Sequence, residues 1–315
     1  MKTVLTAVAA VALSTSAAFA ADLRVKAPPP PPPPSPWDLA FGSALMTDYN
    51  WRGVSQSNRK PSVAAYFEPR YNISPNMQFY AGIAGESISF PNRAAAEIDF
   101  YGGIRPTFGP IALDLGFWYY YYPGGQCFNG AVAGCLAALP NTNVIKDVMS
   151  FWEVYGKAAY TISDALAVGA GLYYTPSWMN MGANGTYLAG NAKYTLPASM
   201  LPGIGTYISG ELGHYWLGTT DAFYGIIPAF PAGINLPDYM TWNIGVGFTW
   251  KVFTLDLRYY DTDLSRGDCN ALTSDHTASG TTFVTPINPG GLGSRWCNAA
   301  FIAKLSADLT LGNLK

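Results

Sequence analysis

Imidazole chemistry has little to draw on in this chain, whose 315 residues include only two histidines, His214 and His276. A hydrolase using His214 would need a serine nucleophile within its reach. The next residue on its face is Trp216, and the facing stretch 239–251 holds no serine, so hydrolysis stands only as an alternative reading with no catalytic residues assigned. The cysteines, Cys127, Cys135, Cys269 and Cys297, include no Cys-x-x-Cys spacing and have only His276 nearby, which argues against a metal or other cofactor. They fall in pairs in two long loop-like stretches. Only the local pairing keeps each bridge within one loop, so the expected disulfides are Cys127–Cys135 and Cys269–Cys297, each worth roughly 2–4 kcal/mol in loop closure in an oxidising compartment.

The charged residues carry more information. They make up 12% of the chain, about half the share usual in soluble proteins, so water is not its main solvent. A net charge of −2 with no basic run excludes nucleic acid as a partner. Many of the charges recur at every second position. Glu68, Arg70, Glu86, Glu97, Asp99, Arg105, Asp114, Glu153, Lys157, Lys193, Glu211, Asp256, Arg258 and Lys304 share a phase with Asp38, Asp48, Asp308 and Tyr101, opposite a face of apolar residues. Acids outnumber bases on that face.

Period-two alternation is the signature of β-strands, and it runs through 37–49, 62–73, 77–90, 95–108, 111–122, 148–162, 166–176, 186–196, 205–217, 239–251, 253–264 and 299–311. No comparable window shows a helical period. Every second connection is short and the intervening ones are longer, the weakest long member being 91–94. An even number of strands with short turns at one end and long loops at the other predicts an all-β fold: a twelve-stranded, antiparallel, up-and-down transmembrane β-barrel. Two further stretches, 223–234 and 281–287, would add a hairpin if they formed strands.

Alternation alone does not say which face is inside. Twelve strands enclose a space too wide to be filled dry by the Gly and Ala available, and the apolar face carries aromatics near both strand ends. Trp37, Tyr71, Phe79, Phe108, Tyr160, Tyr194, Trp250 and Phe253 form one girdle. Tyr49, Tyr119, Tyr121, Trp152, Tyr174, Trp216, Trp242, Tyr259 and Phe301 form the other. At about 3.3 Å per residue and a tilt near 40°, they bracket an apolar band of about 25 Å. The charged face therefore lines the lumen.

Residues 1–20 read as a secretory signal, with Lys2 ahead of an apolar core and Ala18-Phe19-Ala20 as a cleavage site. Residues 21–36 hold seven consecutive prolines, Pro28 to Pro34, and read as an extended periplasmic spacer ahead of a barrel over 37–315. Export with such a barrel predicts the outer membrane of a Gram-negative bacterium.

The run Asp48-Tyr49-Asn50-Trp51-Arg52-Gly53-Val54-Ser55-Gln56-Ser57 resembles a signature near the start of the TorF family of porins. Glu97-Ile98-Asp99-Phe100-Tyr101-Gly102-Gly103 and Tyr119-Tyr120-Tyr121-Tyr122-Pro123-Gly124 look like its continuation. The resemblance implies an outer-membrane transport barrel with no catalytic residues to carry over. The function expected is passive diffusion of small hydrophilic solutes, with a weak cation preference from the acidic excess. Arg52 and Gln56 lie in the first outer loop and are the candidates for an inward constriction. Outer-loop Arg52, Arg59, Lys60, Arg93, Arg266 and Arg295 are candidates for meeting lipopolysaccharide phosphates alongside outer-membrane lipid. A non-conducting structural barrel that binds envelope components is the remaining alternative.

Overall fold

A computed structural model describes residues 36–126, 141 and 143–311. The expected signal, most of the spacer, and Cys127 and Cys135 lie outside the described residues. Twelve antiparallel strands form a closed barrel: β1 (Trp37–Met46), β4 (Ser62–Ser74), β5 (Met77–Glu86), β6 (Glu97–Phe108), β7 (Ile111–Tyr121), β8 (Phe151–Thr161), β9 (Leu166–Thr175), β10 (Gly185–Thr195), β11 (Gly205–Leu217), β12 (Tyr239–Trp250), β13 (Phe253–Thr262) and β14 (Ala300–Thr310). Two short strands, β2 (Asn50–Trp51) and β3 (Val54–Ser55), pair only with each other. One helix, α1 (Arg266–Thr273), lies in the last long loop. Each barrel strand pairs with its sequence neighbour, and β1 closes the ring against β14, with Ala40 opposite Thr310. Closure satisfies every strand's backbone donors and acceptors without water, as a strand in lipid requires.

The two faces separate as the alternation predicts. Leu45, Phe67, Ile83, Leu115, Leu172, Leu188, Ile244 and Leu257 are exposed on the outside, a belt that costs free energy in water and gains it against acyl chains. The girdles are built from direct cross-strand pairs. Trp37 meets Tyr71 edge to face at 4.9 Å, Trp250 stacks on Phe253 at 6.3 Å, and Tyr259 meets Phe301 at 5.1 Å.

The differences from expectation lie where chain leaves the sheet. Tyr49 does not join the outer girdle: β1 ends at Met46, the chain turns inward, and the Tyr49 hydroxyl donates to Glu97 Oε1 at 2.6 Å. The 91–94 connection is a longer loop, 87–96, because Phe90 and Ala94 are drawn into an apolar cluster above the barrel instead of continuing their strands. In keeping with the expected count of twelve, the stretches 223–234 and 281–287 add no barrel strand; they carry isolated bridges and a one-turn 3-10 helix at Ala222–Tyr224. Helix α1 escapes the period-two pattern because it is only 8 residues long, held by its ends: Ser265 Oγ accepts from the Asp268 N–H at 3.1 Å. Cys269 in α1 is bridged to Cys297 across a separation of 28 residues, tying the last long loop to the foot of β14.

A charge on the outer belt tests the assignment of faces. Leu257→Arg, near the middle of β13, should cost about 2–4 kcal/mol in refolding titrations into lipid vesicles. An unchanged titration would mean that this face does not meet acyl chains.

Candidate functional site

The segment 47–61 between β1 and β4 crosses the interior of the barrel. Trp51-Arg52-Gly53-Val54 makes a two-residue hairpin turn in which both central residues have positive φ, 49° at Arg52 and 84° at Gly53. Asn50 Oδ1 caps the turn by accepting from the Gly53 N–H at 3.0 Å. Gly53 has no room for a side chain, since a Cβ there would collide with Thr241 and Thr262 on the wall. From that contact on β12 and β13 the hairpin reaches across to β8. There Arg52 donates two parallel hydrogen bonds to Glu153, each 2.7 Å long, with the two side chains 7% and 1% exposed.

The guanidinium also lies between rings. Its centre is 4.1 Å from the Trp51 ring, 4.6 Å from Tyr173, 4.5 Å from Tyr187 and 5.0 Å from Tyr215. Aromatic faces attract a desolvated cation, and a bidentate carboxylate supplies the charge that burial demands. Tyr120 donates to Glu153 at 3.1 Å and Tyr239 donates to the Arg52 carbonyl at 3.0 Å, so both partners are fixed from the wall. The root of the loop is a second polar knot, in which Ser55 and Ser57 donate to Asp48 Oδ1 at 2.6 and 2.9 Å. Burial pushes the Asp48 carboxyl up, and these hydroxyls and Arg59 pull it back.

Of the two constriction candidates only Arg52 enters the lumen. Gln56 lies past the turn, where the chain has returned to the mouth; its amide donates to the Val54 carbonyl at 3.0 Å among the apolar residues of the outer loops. Arg52 is therefore also unavailable to lipopolysaccharide. Arg59 is spent on the carbonyls of Arg295, Asn298 and Ala299, stapling the first loop to the last, and Arg266 lies 4.2 Å from the Phe283 ring.

Below the hairpin a cavity of about 840 Å³ runs to the turn around Pro75 and Asn76, with Tyr49, Trp51 and Arg52 at its inner end. A second cavity of about 440 Å³ lies against β10–β13, and a third of about 160 Å³ lies beside β1 and β14. Of the charges named from the sequence, Glu86, Asp99, Arg105, Asp114, Lys157, Lys193, Glu211, Asp256, Arg258 and Lys304 line these cavities. Asp38, Arg70, Glu68, Arg105, Asp114 and Lys157 form a chain of ion pairs along the wall, with links of 2.6 to 3.7 Å. Asp256 and Arg258 form a separate pair at 2.9 Å, and Arg258 also donates to Asn243 and Ser209. Lys193 lies 4.2 Å from the Tyr207 ring, Tyr187 donates to Glu211 at 3.1 Å, and Lys304 borders the third cavity. Tyr101 stacks on Trp118 at 4.3 Å. Glu86, Glu97 and Asp99 stand together and join none of these ion pairs.

Above the hairpin the mouth is filled. Val54 packs with Tyr122, Phe151, Trp178, Met181, Leu236 and Trp296 in one buried cluster drawn from strands and outer loops. His214 is on the outside, 4.4 Å from the Trp216 ring, with Leu188 and Met240 as its cross-strand neighbours and no nucleophile among them.

Of the groups around Arg52, sequence reasoning missed Tyr187, Tyr215 and Tyr239. Tyr187 shares the phase of Lys193, Tyr215 that of Glu211, and Tyr239 that of Asn243, so alternation places them inward. Nothing in the pattern said that a loop would come to meet them. A double-mutant cycle checks the pair. Removing either partner alone, by Arg52→Ala or Glu153→Ala, should destabilise the protein by about 3–5 kcal/mol in urea unfolding from lipid vesicles, and the double variant should lose much less than the sum. Additive losses would show that the two side chains do not depend on each other.

A search of curated protein sequences gave no match. Among solved structures the barrel is similar to the NanC porin at 8% identity and TM-score 0.43, covering 87% of this chain and 100% of that one. It is also similar to the KdgM porin at 9% and 0.40, covering 86% and 98%, and to a loop-deleted OmpT, an outer membrane protein of Vibrio cholerae, at 10% and 0.35, covering 87% and 98%. At TM-scores below 0.5 these likenesses decide nothing about substrate or mechanism. One family model matches residues 31–285, a span that includes all three stretches resembling TorF porins. The chain thus belongs to the Gcw_chp family, bacterial proteins of unknown function.

Proposed function

We propose that this protein is an outer-membrane channel for passive diffusion of small hydrophilic solutes, with the first loop as its gate. The observation that carries the reading is the hairpin's attachment. It sits inside a closed barrel with a cavity beneath it, yet its strands pair only with each other, and it meets the walls through side chains alone: the Arg52–Glu153 ion pair, the wall rings against Arg52 and Trp51, and the Tyr239 hydrogen bond. Further backbone bonds link it to the other outer loops at Trp296 and Ser89. Releasing these side-chain contacts together with the loop bonds would open a path along a wall already lined with charge. Acidic Glu86, Glu97, Asp99 and Glu211, none in an ion pair among the described residues, favour cations over anions. The exterior belt and girdles support placement in the outer membrane, reached through the expected signal at 1–20.

A second reading has its own observation. The apolar cluster above the hairpin fills the outer mouth, as a non-conducting structural barrel would require. Planar-bilayer recordings separate the two. The gated channel predicts rare or small openings in the wild type, a large rise in open probability or conductance in Arg52→Ala, and a reversal potential on the cation side in a salt gradient. Silence in both proteins would favour the structural barrel, and an anion-side reversal would remove the proposed preference.

A further inference from the structure

We propose that Glu86, Glu97 and Asp99 form a binding site for a divalent cation of calcium's size, which fastens the first loop to the barrel wall. One carboxylate oxygen from each residue lies within 4.8 Å of the other two. The strand register makes the grouping unavoidable, because Glu86 on β5 stands directly opposite Glu97 on β6, and Asp99 is two residues further along the same inward face. Like charges directly opposite in a sheet are destabilising, and more so when withdrawn from water. Glu97 is 2% exposed and Asp99 is 3% exposed.

Of the neighbouring basic groups, Lys304 attracts Glu86, and none acts on Glu97 or Asp99. Glu97 accepts from the hydroxyls of Tyr49 and Tyr122, which are neutral donors. Asp99 Oδ1 and Glu86 Oε2 are buried without a well-aligned hydrogen-bond donor, although the Trp118 ring N–H lies beside Asp99. Lys304 borders the same small cavity as Glu86 but forms no ion pair with any of the three, while the wall's arginines are committed to Glu68, Asp114, Glu153 and Asp256. A cation bound among the three carboxylates would satisfy both of these oxygens and offset the like charges.

The donor set narrows the class of ion. Three carboxylates without nitrogen or sulfur suit a hard cation and exclude a zinc-type site. Oxygens around Ca²⁺ at 2.3–2.6 Å stand at most about 5 Å apart, a shell that accommodates three oxygens lying within 4.8 Å of one another. Glu86 and Asp99 also line the large cavity, so an ion can reach them from the end marked by Pro75 and Asn76. Because Glu97 holds the Tyr49 hydroxyl, an ion on Glu97 would fix the root of the first loop independently of Arg52.

The test uses the full-length mature protein, purified in detergent and stripped with a chelator. Calorimetric titration with Ca²⁺ should show saturable single-site binding, and Tb³⁺ should give emission sensitised by Trp118, which lines the same cavity, and be displaced by Ca²⁺. The wild-type unfolding midpoint should rise with Ca²⁺ relative to chelator. Asp99→Asn should weaken Ca²⁺ about tenfold or more, and Glu86→Gln, at the edge of the cavity, provides a second variant should the first not fold. The proposal is overturned if folded wild type shows no saturable Ca²⁺ binding, or if binding survives both substitutions unchanged.

Discussion

A guanidinium can sit among aromatic rings inside a protein only if a carboxylate meets it there, and the Arg52–Glu153 pair is what allows a loop to occupy the interior of this barrel. Breaking such a pair leaves an uncompensated charge out of water, which is far more costly than never having buried one. The rest of the interior follows from that constraint. The turn at Arg52 and Gly53 needs positive φ, Gly53 must lack a side chain to pass Thr241 and Thr262, and Tyr120 and Tyr239 hold the two partners in line.

The barrel itself was legible in the sequence because its physics is periodic. A strand between lipid and lumen must alternate, and the segments beginning at Ser62, Met77, Ile111, Leu166, Gly205, Tyr239 and Phe253 lie within a few residues of where alternation places them. The inward phase of residues such as Asp114, Lys157 and Arg258 is read the same way. Periodicity ends where the sheet ends, and there the reading failed. Tyr49 keeps the phase of the outer girdle, but the strand stops at Met46 and the residue turns toward Glu97. Gln56 and Arg52 look equivalent in sequence, yet the turn between them sends one into the lumen and the other back to the mouth. The partners of Arg52 come from β8 to β12, contacts distant in sequence that carry no local signal.

The interior is divided by charge. One stretch of wall runs as a chain of ion pairs from Asp38 to Lys157, each charge answered by its neighbour. The stretch beside β5 and β6 is answered less fully: Glu86, Glu97 and Asp99 crowd together without an ion pair among the described residues, and one oxygen each of Glu86 and Asp99 lacks an aligned donor. The first loop touches both kinds of surface, through Arg52 at an ion-paired carboxylate and through Tyr49 at Glu97, which only neutral hydroxyls meet. A loop held at two electrostatically distinct points is suited to respond to its surroundings, whereas one held by apolar packing alone would not be.

Hydrogen exchange at the amides of 50–57 tests most directly whether the ion pair holds the hairpin inside. The account predicts slow exchange there in the wild type and fast exchange in Glu153→Gln, with the barrel strands equally protected in both. Hairpin amides that exchange at the rate of a free loop in the wild type, or protection that survives Glu153→Gln intact, would contradict it.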